Sequence, residues 1–247
     1  MNVRRVAMSL VCVALAITGA FAQQGSAAKD EQPETAKEAL LRRHIGITQP
    51  SLVLALRSPD PKVRELAAQV LAEEGAKDAI PSIMEALKAE TVPANQVNIA
   101  FFLAQLGEGT GRATLKDTCD DPAEPGWIRM LAATDMRYLH DDYCLPAVMD
   151  ALRSEDDPDS RIQALSLVPD FHHLSEENSQ KIFDLVVGAL ADQAPGVRMN
   201  ASYTLGRLGN VAAIPYLQEA LAKEQDDGCL LQMPMDLQRL WKQGQSR

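Results

Sequence analysis

Two short histidine-containing segments hold the residues of this sequence that are best suited to metal chemistry. His140 is followed by Asp141 and Asp142, and His172 is followed by His173. Imidazole and carboxylate groups are ligands that zinc and similar ions accept. If the two segments lay on adjacent turns, they could support a metal-dependent or lyase-like reaction. No HExxH spacing is present, so this enzyme is the alternative interpretation and not the first one.

The same histidines have a structural interpretation. Each lies eleven residues after an arginine, Arg129 or Arg161, and other segments of the chain carry a glycine at that place. A residue that ends a helix often adopts the left-handed conformation, which glycine favours and histidine tolerates better than most residues. We therefore interpret both histidines as helix ends. The glycines at the corresponding place are Gly75, Gly109 and Gly209.

The segment 107–112, GEGTGR, superficially resembles a phosphate-binding loop. It follows no strand pattern, Glu108 would repel an anion, and no Lys-Ser/Thr pair comes after it. We interpret the segment as a turn.

The elements that position these residues repeat along the chain. Five segments align on a dipeptide that usually ends in arginine, at spacings of 34, 31, 32 and 37 residues. Each is followed by a shorter apolar pattern, often with proline in its first turn, and none shows sustained period-two alternation. The pattern predicts an all-α protein, an α-solenoid (superhelix) of about five helical hairpins with terminal caps. The dipeptides are Val63-Arg64, Val97-Asn98, Ile128-Arg129, Ser160-Arg161 and Val197-Arg198.

Two of these segments, PDPKVRELAAQVLAEEGAKDAIPSIMEAL and APGVRMNASYTLGRLGNVAAIPYLQEAL, resemble HEAT repeats of the short type found in bilin (phycobilisome) lyases. The resemblance covers roughly residues 50–223 and departs from the pattern at Asn98 and Asp184. It implies a helical scaffold and says little about chemistry. Bilin attachment is a further enzyme possibility that the resemblance raises, and an exported protein would be an unexpected place for it.

The arginines of the repeat point into the apolar side of their helices. A guanidinium group is rarely buried without a partner, and each preceding link contains an aspartate. We therefore predict a structural ladder of aspartate–arginine pairs across repeat boundaries; a solvated arginine on the first turn is the alternative. The ladder comprises Asp60, Arg64, Asp121, Arg129, Asp157, Arg161, Asp192 and Arg198.

Mixed polar and aromatic residues lie on a different side of the first helix of each hairpin. We predict that they form a groove on the concave surface that binds a protein partner without catalysis. Trp127 is a candidate aromatic anchor, with packing against the preceding link as the alternative. The predicted groove residues are Gln69, Leu103, Thr134, Tyr138, Ser166, Tyr203, Arg207 and Trp127.

The N-terminal residues predict export. Arg4 and Arg5 precede an apolar run, and an Ala-Phe-Ala pattern ends at Ala22, as in a cleaved signal peptide over residues 1–22. We expect a flexible leader over 23–36, a repeat domain over 37–247, and no stable membrane insertion after cleavage. We expect a periplasmic or extracellular location and a bacterial origin.

Charge and cysteine content restrict the partners. The formal charge of −10 becomes −12 once the two arginines of the signal peptide are removed, which argues against nucleic acid. No cofactor is expected. Cys119 and Cys144 are predicted to lie at opposite ends of successive parallel helices and therefore to form no bridge. Residues 226–247 break the repeat pattern and are predicted to cap the last hairpin.

Overall fold

The computed structural model describes residues 33–155, 157–172 and 174–245, and this part of the chain contains thirteen α-helices and no β-strand. The predicted signal peptide and residues 23–32 of the predicted leader lie outside the described residues. The helices are α1 (Ala36–Arg42), α2 (Gln49–Ala55), α3 (Pro61–Glu73), α4 (Ile80–Ala89), α5 (Pro93–Gln105), α6 (Gly109–Asp120), α7 (Gly126–Tyr138), α8 (Leu145–Arg153), α9 (Pro158–Leu167), α10 (Glu176–Gly188), α11 (Pro195–Leu208), α12 (Ile214–Lys223) and α13 (Asp227–Gln245).

Proline and short polar side chains set where the helices begin. Proline occupies the first position of α3, α5, α9 and α11, where a missing backbone N–H costs no hydrogen bond. Asp60 and Asp157 cap α3 and α9 by accepting backbone N–H groups of the first turn. Thr35 and Glu38 form a reciprocal capping box on α1. These signals are local, which is why the sequence shows them.

The helices form two layers of a solenoid, as the sequence predicts. Odd-numbered helices, here called first helices, pack each on the next from α1 to α13. Even-numbered helices, the second helices, connect successive first helices, and each packs on the first helix that follows it. The described part holds six hairpins and one additional first helix, α13, which packs on α11 and α12. The sequence predicted about five hairpins. The sixth is α1–α2, which precedes the first predicted repeat.

Small side chains allow the first helices to approach one another closely. Four alanines, each three positions after a repeat arginine, have no exposed surface. The buried residues of all hairpins form one continuous apolar cluster, as expected when stacked repeats share an interior. The alanines are Ala67, Ala132, Ala164 and Ala201.

The predicted alignment of the second repeat is wrong by two residues. The arginine is the fourth residue of α3, α7, α9 and α11, and the fourth residue of α5 is Gln96, not Asn98. Leu103 therefore occupies the position of Leu71 and Leu205 and is completely buried. The helix start at Pro93 sets this register, because the apolar residues of α5 lie on several faces and fit more than one alignment.

Candidate functional site

Each repeat arginine lies on the first helix of a hairpin and pairs with a carboxylate on, or just after, the second helix. The Arg64 Nε and Nη2 atoms donate to the two oxygens of Glu90 at 2.9 and 2.7 Å, and its Nη1 atom donates to the Ser58 and Pro59 carbonyls. Glu90 directly follows α4. Arg198 repeats the arrangement with Glu224, which directly follows α12, at 2.8 and 2.6 Å. In both pairs the glutamate lies 26 residues after the arginine.

The other two arginines pair with different groups. Arg161 is buried and pairs with Asp192, with Nε 2.8 Å from Oδ2. Arg129 donates to the Cys119 carbonyl at 2.9 Å and lies 3.5 Å from an oxygen of Asp150. The exposed fractions of the four arginine side chains lie between 9% and 18%, so the solvated alternative is excluded.

The predicted carboxylate partners are wrong for all four arginines. Asp60 and Asp157 accept from the first turns of their own helices, and Asp121 accepts from the Ala123 N–H. Their short side chains are thus held locally and do not reach the guanidinium groups. Asp192 belongs to an ion pair, but with Arg161 of the preceding hairpin. Only its carbonyl accepts from Arg198, at 2.9 Å.

The two glutamates are strongly stabilised as anions. Burial raises the pKa of Glu90, but hydrogen bonds from Arg64, Asn95 and two backbone N–H groups outweigh it and lower the pKa to about 2. The hydrogen bonds from Arg198 lower the pKa of Glu224 to about 2, against a smaller opposing effect of burial. These ion pairs are structural, since their charges are neutralised within the hairpin.

A second set of contacts joins neighbouring hairpins. The Asn95 amide donates to the Pro61 carbonyl at 2.6 Å and to Glu90 at 2.9 Å, so it links α5 to the start of α3. The Cys229 thiol lies 3.3 Å from the Pro195 carbonyl, the equivalent place between α13 and α11. This equivalence places Leu230 at the arginine position of α13.

The predicted groove residues lie on one exposed side of the first helices, with one exception. We call this side the first-helix surface: the residues two, five and nine positions after the arginine position on α3 to α13, apart from Leu66, which is buried. Leu103 does not belong to it, because of the corrected register; Phe101 takes its place. Trp127, 48% exposed, lies two positions before Arg129, close to the same helical direction. The predicted residues that do lie on the surface are Gln69, Thr134, Tyr138, Ser166, Tyr203 and Arg207.

Amide and aromatic groups dominate the first-helix surface. The Phe101 and Tyr138 rings of neighbouring helices lie 6.3 Å apart, and Arg239 lies over the Tyr203 ring at 5.5 Å. The surface carries two acids, Glu73 and Asp170, and two bases, so its formal charge is zero. Arg207 and Asp170 pair across adjacent helices at 3.2 Å. The carboxamides are Gln69, Asn98, Gln105, Gln163, Asn200 and Gln232.

Grooves also lie between second helices. The groove between α10 and α12 has a volume of about 450 Å³ and is lined by Tyr216, Lys223 and the Arg198–Glu224 pair. Charged side chains occupy much of its wall. It therefore differs in chemistry from the first-helix surface, which consists mainly of uncharged side chains and has no net charge.

The histidine segments do not form a cluster in the described part of the chain. His140 has a φ of 57° after α7, as predicted for a helix end. His172 does not: residues 168–170 form a 3₁₀ turn after α9, and His172 has no positive φ. His173 lies outside the described residues. Among the residues that are described, no group of three His, Cys, Asp or Glu side chains that could hold a metal ion is present, Asp141 included.

The glycine predictions need two corrections. Gly107, with a φ of 88°, closes α5 in place of Gly109, because α5 begins two residues earlier than the predicted register requires. The segment 107–112 is only partly a turn, since α6 begins at Gly109. Gly111 lies where α6 crosses α5.

Cys119 and Cys144 form a disulfide bond, contrary to the sequence prediction. Cys119 lies in the last turn of α6 and Cys144 immediately precedes α8, so the end of one second helix meets the start of the next. The prediction assumed that these helices lie side by side. A 2.5 Å hydrogen bond from the Tyr143 hydroxyl to Asp120 joins the same two ends.

Asp135 is a buried carboxyl group whose Oδ2 atom has no hydrogen-bond partner among the described residues. Burial raises its pKa well above the usual range. The equivalent residue of α11, Thr204, donates to the Leu165 carbonyl of the preceding first helix at 2.9 Å. Asp135 thus stands where another repeat has a hydrogen-bond donor.

Comparison with known proteins agrees with this architecture. The model of HEAT repeats matches residues 50–137 and 145–231. The chain belongs to the HEAT-repeat family. The resemblance seen in the sequence is therefore confirmed. Within the part of this HEAT-repeat chain that the structure describes, no helix has both the length and the apolar content needed to cross a membrane.

Solved structures with a similar arrangement share little sequence with this HEAT-repeat chain. A designed armadillo repeat protein, YIII(Dq)4CqI, is 18% identical with a TM-score of 0.48, covering 78% of this chain and 100% of that one. Human deoxyhypusine hydroxylase is 17% identical with a TM-score of 0.42, covering 78% and 74%. The complex of CpcE and CpcF of phycocyanin lyase from Nostoc sp. PCC7120 is 17% identical with a TM-score of 0.37, covering 88% and 100%. No curated protein matches the sequence.

Proposed function

We propose that the protein is an exported HEAT-repeat scaffold that binds a protein partner along the first-helix surface and acts by binding, not by catalysis. The observation that carries the proposal is the composition of this surface. It presents six carboxamides and three aromatic rings, Phe101, Tyr138 and Tyr203, with no net charge. The whole sequence, in contrast, has a formal charge of −10.

Amide and aromatic groups together suit a polypeptide ligand. A carboxamide offers both donors and acceptors and can bond to either backbone group of a partner. Aromatic side chains supply large contact areas at low cost in conformational entropy, and they are enriched at the centres of protein interfaces. Tyr138 is 55% exposed and Tyr203 is 42% exposed, so both rings are accessible.

Two observations support export. The N-terminal residues have the pattern of a cleaved signal peptide. The Cys119–Cys144 disulfide is of the kind that persists in oxidising compartments such as the bacterial periplasm or the extracellular space.

Site-specific photo-crosslinking in the producing cell tests the proposal. A photoreactive amino acid replaces Tyr203 in one variant and Tyr216 in a matched control. The two tyrosines are similarly exposed, at 42% and 47%, but Tyr216 lies on α12 in the second layer. We expect one partner protein to be captured from position 203 and not from 216. Capture from 216 alone, or from neither position, would contradict the proposal.

A further inference from the structure

The helix α13 leaves one side uncovered that its predecessor α11 buries. On α11 the covered positions are one, four and eight residues after Arg198. A Cβ atom at Gly228 would lie 3.9 Å from the Met199 Sδ atom, and the Ser202 hydroxyl donates to Asp236 at 2.8 Å. A Cβ atom at Gly206 would lie 3.0 Å from the same aspartate. This side of a first helix is thus built to receive another first helix.

The equivalent positions of α13 are exposed. Together with Trp241, one turn further along the helix, they form what we call the end face: Leu231, Pro234, Gln238 and Trp241. Leu231 is 73% exposed and Trp241 is 45% exposed. The positions recur at intervals of three and four residues, so they form one stripe along the helix. Exposed apolar surface of this kind at the end of a solenoid needs a cover or a partner.

The charges on this stripe indicate which partner fits. Asp227 lies one turn before Leu231, and Lys242 lies one turn after Gln238, on the same side of the helix. In an antiparallel pair of α13 helices, Leu231 of each copy would meet Trp241 of the other. Asp227 of each copy would then approach Lys242 of the other. The stripe of one copy is therefore complementary to the same stripe of a second copy, both in its apolar groups and in its charges.

We propose that the end face binds a second copy of this chain through an antiparallel, two-fold pairing of α13. The same patch serves both copies, so the assembly closes as a dimer. The first-helix surface lies on another side of the helices, and the dimer does not depend on the protein partner proposed above. Each dimer would carry two such surfaces.

Sedimentation of the purified protein over a concentration series tests the dimer. We expect a monomer–dimer equilibrium that Leu231→Arg weakens at least about tenfold. Leu54→Arg is the matched control, because Leu54 is 72% exposed on α2 at the other end of the array. Circular dichroism verifies that both variants keep their helices. A protein that is monomeric at every concentration would overturn the proposal, as would association that resists Leu231→Arg or depends on Leu54.

Charge exchange tests the antiparallel geometry. Asp227→Lys places two lysines opposite each other and is expected to weaken the dimer. Adding Lys242→Asp restores opposite charges in the antiparallel pair and is expected to restore association. A double variant that stays as weak as the single one would overturn the proposed pairing. So would a mass that grows beyond the dimer, which indicates open, head-to-tail assembly.

Discussion

The Arg64 guanidinium and the Glu90 carboxylate form a two-bond ion pair that joins the start of α3 to the end of α4. The Glu90 side chain has no exposed surface, while 16% of the Arg64 side chain is exposed. Removing the arginine leaves a buried carboxylate without its main partner. We expect Arg64→Ala to lower the free energy of unfolding by about 3 kcal/mol, measured by urea titration.

The control for this variant is Arg57→Ala. Arg57 pairs with Glu85 at 3.2 Å, but both side chains are about 70% exposed. Exposed pairs contribute little, so a much smaller loss is expected. Equal losses in the two variants would show that the Arg64–Glu90 pair does not hold the hairpin closed.

The low pKa values of Glu90 and Glu224, each about 2, predict acid sensitivity. Both values lie below that of an unfolded glutamate, about 4.3. Their stabilising effect is complete above that value and is lost as the pH falls towards 2. Glu90→Gln is expected to lose stability at pH 7 and to show a shallower decline between about pH 4.5 and 2.

The matched control for that pH series is Glu85→Gln, which changes an exposed glutamate of the same hairpin. Its stability should follow the unmodified protein at every pH. If Glu90→Gln also runs parallel to the unmodified protein, the pKa of Glu90 is not lowered in the folded state.

The raised pKa of Asp135 predicts the opposite dependence of stability on pH. Burial raises its pKa, so its contribution to stability is greatest below the unfolded value of about 3.9 and falls as the pH rises. Asp135→Thr supplies the hydroxyl that Thr204 has at the equivalent place. We expect it to raise the free energy of unfolding more at pH 7 than at pH 4. A gain that is the same at both values would contradict an effect of ionisation.

The disulfide between Cys119 and Cys144 closes a loop with a sequence separation of 25 residues. Loss of a cross-link of this span is expected to lower the free energy of unfolding by about 3 kcal/mol, mainly because the unfolded chain gains conformational entropy. Urea unfolding with and without reductant measures the difference. The double variant Cys119→Ala/Cys144→Ala is the control and should show no response to reductant. A reductant effect that persists in this variant would have another origin.

Gly111 is predicted to tolerate no side chain. A Cβ atom there would meet the Ala100 carbonyl and lie 2.6 Å from the Ala104 nitrogen, and neither backbone atom can move aside cheaply. Gly111→Ala should therefore destabilise the protein and lower its melting temperature. Gly188→Ala is the control, since no atom in the described part of the chain lies within 4 Å of its Cβ position. The control should be neutral or slightly stabilising, because alanine favours the helix.

The fold could be predicted from the sequence because its signals are local and repeated. Proline at the helix starts and the alanine column recur in several hairpins. The partner of Arg64 could not be predicted in this way, because proximity in sequence favoured Asp60 over a glutamate 26 residues away. The repetition of that spacing in Arg198 and Glu224 was the available signal.

The candidate surface was predicted only in part. Its residues five and nine positions after the arginines of α3, α7, α9 and α11 follow from the repeat, but Leu103 was assigned to it wrongly and Phe101 was missed. The carboxamides two positions after the arginine position, such as Gln163 and Asn200, were not predicted. The residue at the arginine position of α5 is Gln96, so the dipeptide gave no guide there. The start of α5 at Pro93 was the signal that identifies the correct alignment.

The ion pairs formed by Arg64 and Arg198 each begin and end within a single hairpin. A gene duplication that copies such a hairpin therefore copies both charges together, and a deletion removes both. The array could thus lengthen or shorten by whole hairpins during evolution without leaving an unpaired charge in its interior.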